Sequence, residues 1–221
     1  AIGMPLANLA TKVMLGKSLQ ELGFTKQIET KHFAVKESVF PFVRFSGVDA
    51  TLGPEMKSTG EVMGIDSSFG LAYAKSQIAA GQKLPKKGKI FLSVKDKDKR
   101  HIILIAKRLN DLGFSLVASK GTADTLRRND IPVDEVLKVY EGRPNITDLI
   151  KNGEISLIIN TPSGKRPKKD TVSIRSVAIS HNIPLITAFA GAEATVSGLE
   201  AILKKDFSVK SIQDYHKKIK S

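Results

Sequence analysis

Lys89-Ile90-Phe91-Leu92-Ser93-Val94, joined through a helical stretch to Phe114-Ser115-Leu116-Val117-Ala118 and the turn Ser119-Lys120-Gly121-Thr122, decides how this chain folds. The first run is short, apolar and bounded by a charged turn from Lys95 to Arg100, which reads as a buried strand. Ile102, Ile103, Ile105, Ala106, Leu109 and Leu112 then recur at helical spacing, and Gly113 closes the helix. The second apolar run returns to the sheet. This is a β-α-β unit, for which parallel strands and a right-handed crossover are expected. Ser119 to Thr122 falls where the second strand meets the next helix. A small, hydroxyl-bearing turn containing Gly121 at a helix N-terminus offers unpaired main-chain N–H groups to an anion. A glycine that merely eases a tight turn is the other reading of the same residues.

From Gly88 onward the alternation continues. Strands are expected at 89–94, 114–118, 134–139, 155–159 and 184–187, and helices at 99–112, 122–129, 145–152, 170–181 and 191–204. A tail helix over about 208–219 would start at Ser208 as its N-cap. The fold class is α/β, a five-stranded parallel sheet flanked by helices. In such a sheet the loops after the strands share one edge. Here they bring Lys95, Lys97, Lys99, Lys120, Arg143, Lys165 and Arg166 together with Ser119, Thr122, Asn160, Thr161 and Ser163. Cations, hydroxyls and glycine turns on one edge suit a phosphorylated small molecule, with ordinary loop polarity as the alternative.

The chain before residue 88 is less regular. Leu6, Leu9, Ala10, Val13 and Met14 mark a helix over 5–15 that Gly16 ends. Phe33 to Phe45 gives two short extended runs broken by Pro41, and 46–64 is rich in turn residues. Ser67 to Ala80 reads as a helix with Phe69, Ala72, Tyr73, Ser76 and Ile78 on one face. Gly81 to Gly88 reads as a linker, which divides the chain into 1–87 and 88–221. The first part has too few neighbours for its apolar strands to fold well alone.

Composition narrows the class. The 221 residues carry 35 Lys and Arg against 22 Asp and Glu, a formal charge of +13, and 41% are hydrophobic, so the chain is globular. The charge is spread through both parts. With aromatics at 6% and no Trp, base-stacking platforms are few, which disfavours a nucleic-acid module. There is no cysteine, hence no disulfide or thiolate metal site, in keeping with a cytoplasmic protein. No apolar run approaches the roughly 20 residues of a membrane span, and no signal peptide is visible. The chain begins without Met and as if inside a helix, so a piece of a longer protein is expected. His32, His101, His181 and His216 form no metal-binding spacing, and neither a P-loop nor a G-x-S-x-G elbow occurs.

Two sets of residues resemble the carbamoyl-phosphate synthetase large subunit. The first is Leu52-Gly53-Pro54-Glu55-Met56-Lys57-Ser58-Thr59-Gly60-Glu61-Val62-Met63-Gly64, with Ser38-Val39-Phe40-Pro41-Phe42 and Gly47-Val48-Asp49 before it. It is similar to the end of that subunit's second ATP-grasp module, as Ala1 to Ala7 is to the helix after its metal-binding segment. The second comprises Ser119-Lys120-Gly121-Thr122-Ala123, Glu141-Gly142-Arg143-Pro144, Ile150-Lys151-Asn152-Gly153 and Asn160-Thr161-Pro162-Ser163-Gly164. These resemble its C-terminal allosteric domain, whose fold is like methylglyoxal synthase and Rossmann-type.

The resemblance implies an α+β end of an ATP-grasp module over 1–87 and the allosteric domain over 88–221. It implies a ligase making carbamoyl phosphate from bicarbonate, ATP and glutamine-derived ammonia for pyrimidine and arginine synthesis. Its partners would be the rest of the large subunit and a glutamine amidotransferase small subunit, with self-association through the allosteric domain left open. ATP and Mg or Mn would belong to parts of the subunit before Ala1, with no cofactor, metal or catalytic residue in this chain, which would then be inactive alone. The effector, UMP, IMP or phosphoribosyl pyrophosphate, would meet Lys99, Ser119, Lys120, Gly121, Thr122, Lys138, Asn160, Thr161 and Ser163, with Lys165 and Arg166 nearby. Ser119 keeps a hydroxyl where the family often has Thr; Lys120 stands where some members have His, and Pro162 replaces a hydroxyl residue. In ornithine-activated members a carboxylate and a loop hydroxyl would match Glu37 and Thr187, which should therefore approach each other. The alternative is a free-standing lyase of the methylglyoxal synthase type. It needs a carboxylate in the loop that here reads Glu141-Gly142-Arg143-Pro144-Asn145, where that group is missing.

Overall fold

A computed structural model describes residues 1–40, 60–161, 169–217 and 219. In chain order the elements are α1 (Leu6–Met14), β1 (Phe33–Val39), β2 (Gly60–Asp66), α2 (Phe69–Ala79), β3 (Lys89–Ser93), α3 (Lys99–Asp111), β4 (Ser115–Ala118), α4 (Lys120–Arg127), β5 (Asp134–Glu135), α5 (Ile146–Lys151), β6 (Ile155–Asn160), α6 (Lys169–Ser180), β7 (Leu185–Ile186), α7 (Phe189–Lys204) and α8 (Ile212–Lys217). Five strands form a parallel sheet in the order β5-β4-β3-β6-β7. This is the α/β arrangement expected from the sequence.

The period-two geometry of strands separates two cores. Ile90 and Leu92 of β3, Leu116 and Ala118 of β4, and Leu157 and Ile159 of β6 face α3, α4 and α7, meeting Ile102, Leu109, Leu126 and Val196. Phe91, Val117 and Ile158 point the other way, onto Ile146 and Ile150 of α5 and Ile174 and Ala178 of α6. Both faces of the three inner strands are therefore covered, which is why they read as unbroken apolar runs.

Residues on both sides of position 87 contribute to the first core: Leu71, Tyr73 and Ala74 of α2 and Leu84 pack with the sheet. α2 is buried on more than one face, between the β1–β2 pair and α7. Of the residues expected on one face, Ala72, Tyr73 and Ser76 are buried while Phe69 and Ile78 are 41% and 52% exposed, and Leu71, Ala74 and Gln77 are buried as well. Gly70 lets α2 approach α7 closely, since a Cβ there would collide with the Ser197 carbonyl oxygen.

Several boundaries differ from the sequence reading. β2 lies where turn residues suggested irregular chain, and it pairs antiparallel with β1. Gly64 sits inside it because a Cβ would collide with the Ala72 carbonyl oxygen and the Ser76 nitrogen of α2. β5 is only two residues long; beyond it the Ile146 N–H donates to the Leu137 carbonyl and the Lys138 N–H to the Glu141 carboxylate, so the chain curls off the sheet edge. α4 begins at Lys120, not Thr122. The tail helix begins after Ser211, not Ser208: the Asp214 N–H donates to Ser211 Oγ at 3.2 Å, and that hydroxyl donates to Asp214 Oδ2 at 2.8 Å. Pro41, Phe42, Val43 and Phe45, with most of the 46–64 stretch, lie outside the described residues.

The packing at Gly64 gives a direct test. Gly64→Ala should lower the unfolding free energy by about 2 kcal/mol, as expected for an overfilled contact between rigid backbones. Gly60→Ala, where a Cβ meets nothing within 4 Å, should stay within about 0.5 kcal/mol of wild type. Urea unfolding checks both, and equal midpoints for the two variants would contradict the packing described.

Candidate functional site

The strand order places a crevice. The chain runs from β3 outward through β4 to β5, then returns to β6 on the opposite side of β3. Loops leaving the carboxyl ends of these strands diverge, and ligands of open α/β sheets bind at such switch points. A cavity of about 180 Å³ lies here. Its walls include Lys99, Ser119, Gly121, Thr122, Lys138, Asn160 and Thr161, seven of the eleven residues expected at the effector site. Lys120 lies on the same first turn of α4 but is exposed and is not among the walls. Ser163, Lys165 and Arg166 lie outside the described residues.

Hydroxyls organise the floor. The Val94 N–H donates to Thr122 Oγ1 at 3.2 Å, and the Lys95 N–H donates to Thr161 Oγ1 at 3.1 Å. Ser119 Oγ donates to Ser93 Oγ at 3.0 Å. Val94, Lys95 and Asp96 line the cavity too, as do Ser93, Thr171 and Ile174, which the sequence did not single out; the hydroxyl directly ending an apolar strand was the available signal for Ser93. A threonine oxygen that accepts a main-chain N–H keeps its own proton to donate. Thr122 and Thr161 can thus close the protein structure and still offer a donor to an anion.

The helix terminus supplies more donors. The Thr122 and Ala123 N–H groups already donate to the Ser119 carbonyl, and the Ser119 N–H donates to the Leu92 carbonyl. Lys120 and Gly121, the first two residues of α4, have no carbonyl one helical turn back to receive their N–H groups. The helix dipole adds roughly half a positive charge there. Lys99 stretches over this turn, with its Nζ 3.0 Å from where a Cβ on Gly121 would sit. Asn160 is 3% exposed and its Oδ1 is buried without a hydrogen-bond partner among the described residues. A buried acceptor left unmade is costly, so a ligand that donates to it gains.

The acidic groups are distributed differently. Asp96 Oδ1 lies 2.7 Å from Lys99 Nζ, and Asp98 Oδ2 lies 3.5 Å from Lys95 Nζ. Asp96 is the sole carboxylate among the described walls. Glu141 turns away and accepts the Lys138 N–H at 2.8 Å. Among the described residues no group of three His, Cys, Asp or Glu could hold a metal ion, and no helix is long and apolar enough to cross a membrane.

A second cavity, of about 420 Å³, lies between β1, α2 and the loop joining β7 to α7. Glu37 and Thr187, distant in sequence, both line it. Glu37 is half-buried and accepts from Gln77 Nε2 at 3.0 Å, a partner not singled out in the sequence. Burial holds its carboxyl above the ordinary range, against the opposing effect of the Gln77 amide. Tyr73, bonded to Thr195 Oγ1 at 2.9 Å, lines the same cavity. Burial pushes its phenol up, the Thr195 hydroxyl opposes, and the nearby Glu37 charge adds to the rise.

The fold defines the class, a parallel α/β domain, and comparison with known proteins agrees. The MGS-like domain family matches residues 101–187. The chain is a homologue of a segment of carbamoyl phosphate synthase large chains. It is 52% identical to that of Archaeoglobus fulgidus over 98% of this chain, and 51% identical to that of Myxococcus xanthus over 97%. It is 48% identical to the arginine-specific chloroplastic large chain of rice over 97%. The chain spans about one fifth of the length of these relatives: 20%, 20% and 18%. Among solved structures, a methylglyoxal synthase from Elizabethkingia anophelis overlaps 52% of this chain and 80% of its own, at 16% identity and a TM-score of 0.45, too slight a likeness to carry weight.

Thr122→Val keeps the shape of a side chain that is 1% exposed but strips the Val94 N–H of its acceptor. Without any ligand it should cost about 1–3 kcal/mol, more than Thr122→Ser. Denaturant unfolding checks this; a Thr122→Val protein as stable as wild type would show that the hydroxyl does not hold the strand end.

Proposed function

We propose that this chain is a regulatory part of a glutamine-dependent carbamoyl-phosphate-synthesising ligase, and that its MGS-like domain binds a phosphorylated nucleotide in the crevice above β3. The observation that carries this reading is the convergence of Lys99, Thr122, Lys138, Asn160 and Thr161, from four separate loops and helices, on one cavity at the switch point. The phosphate rests on the free N–H groups of Lys120 and Gly121, with Lys99 and Lys138 as charged partners. Asn160 and Thr161 take the hydroxyl-bearing part of the ligand. ATP, its divalent metal and the amidotransferase partner belong to the remainder of such an enzyme, and no phosphoryl-transfer step is assigned to residues of this chain. The lyase alternative is disfavoured by the loop after β5, where the carboxylate of Glu141 accepts the Lys138 N–H.

Calorimetry with UMP, IMP and phosphoribosyl pyrophosphate tests the effector site. Lys99→Ala should weaken binding roughly tenfold to a hundredfold, the range for losing a charged hydrogen bond. Added salt should weaken wild-type binding as well. Wild type that binds none of the three, or a variant that binds equally well, would contradict the assignment.

A second reading concerns the Glu37 cavity. A half-buried carboxylate whose partner is a neutral amide, and whose burial raises its pKa, holds an unbalanced negative charge that a ligand ammonium would satisfy. We propose ornithine or a similar amino acid as that ligand, with Thr187 as a further contact. Ornithine should bind wild type more weakly as pH falls through the raised pKa of Glu37, because protonation removes the attracting charge. Glu37→Gln should bind roughly tenfold more weakly or worse at neutral pH. Titrations unaffected by either pH or substitution would remove ornithine from this cavity.

A further inference from the structure

Resting on the effector reading above, we infer that Asp96 sets how much negative charge the crevice accepts, favouring a phosphate monoester over a diphosphate. The loop between β3 and α3 pairs its own cations with its own carboxylates, Lys95 with Asp98 and Lys99 with Asp96. The two pairs are unlike. The Asp98 side chain is 13% exposed and lies outside the cavity wall, while Asp96 lines the cavity with its side chain 94% exposed. Lys99, 27% exposed, is the more fixed member of its pair and already lies over Gly121 at the start of α4. It need not move far to meet an anion seated on that turn.

An ammonium has three donors, so Lys99 can hold Asp96 and a phosphate oxygen together. The geometry then limits how far apart the two negative groups can be. Asp96 Oδ1 is 2.7 Å from Lys99 Nζ. A phosphate oxygen at about 2.8 Å from the same nitrogen lies within about 5.5 Å of that carboxylate. At this distance repulsion acts across solvent, and it grows with each charge the ligand carries. Lys99, Lys95 and Lys138 attract the anion, and Asp96 is the described wall residue that opposes it. A diphosphate brings an extra charge to the same place and is penalised more. The exposed ion pair does little to preorganise Lys99, because such pairs contribute little. Removing the carboxylate should therefore tighten anion binding.

The test is equilibrium binding of UMP and of UDP to the full chain, for wild type, Asp96→Asn and Asp111→Asn. Asp111 ends α3, thirteen residues long, at the end away from the crevice, so its substitution changes net charge equally without changing the site. Asp96→Asn should tighten UMP roughly three- to tenfold at physiological salt and UDP by a larger factor, while Asp111→Asn should change neither. Unchanged or weaker binding by Asp96→Asn, equal gains for UMP and UDP, or an equal gain from Asp111→Asn would each overturn the inference while leaving the effector site standing. If wild type and Asp96→Asn bind neither nucleotide, the effector reading fails and this inference fails with it.

Discussion

At the carboxyl end of β3 the main chain runs out of sheet partners, and its next two N–H groups are taken by hydroxyls from opposite sides. Thr122 of α4 receives Val94, and Thr161, just after β6, receives Lys95. These bonds tie the two flanking loops to one strand end and fix the floor of the crevice. Ser119, the N-cap of α4, turns its hydroxyl to Ser93 and makes no side-chain cap bond, so the Lys120 and Gly121 N–H groups of the first turn keep no intrahelical acceptor. A buried N–H cannot go unmade cheaply, so the two threonines are constrained by folding before any ligand is considered. Each threonine retains its own proton and can still donate it.

The second cavity depends on a different constraint, the close approach of backbones around α2. Gly64 and Gly70 allow α2 to lie tightly between β2 and α7. That approach brings Gln77 to Glu37 and Tyr73 to Thr195, so a carboxylate from the β1–β2 pair faces the loop that follows β7. α6 walls both cavities, contributing Thr171 and Ile174 to one and Ile179 to the other.

Much of the sheet was legible because its inner strands are covered on both faces. Ile90 to Leu92 and Ile155 to Ile159 have no polar alternation to confuse the reading, and glycine or a charged turn bounds each. The cations and hydroxyls of the crevice were legible for a related reason, since parallel topology alone puts every post-strand loop on one edge. What sequence could not give was the direction of individual bonds. Thr122 reads as a ligand contact, yet its first role is to accept a main-chain N–H from a residue 28 positions away. β2 was missed because Gly60 and Gly64 look like turn residues; Gly64 is explained only by the helix packed against it. Val136 and Leu137 suggested a longer β5, but hydrogen bonds to Ile146 and Glu141 draw the chain off the sheet. The tail-helix start was recoverable: Ser211-Ile212-Gln213-Asp214 carries a serine with an acid three residues on, a cap signature that Ser208 lacks.

The proposed regulatory role turns on an anion held by the open first turn of α4 beneath Lys99. The most direct measurement is a UMP titration of the nitrogen-15-labelled chain, followed through the main-chain amide resonances. Saturable shifts are expected, largest at Lys120 and Gly121, with one dissociation constant shared by Thr161. Shifts confined to other parts of the sheet edge, or none at the first turn of α4 while UMP binds, would contradict it.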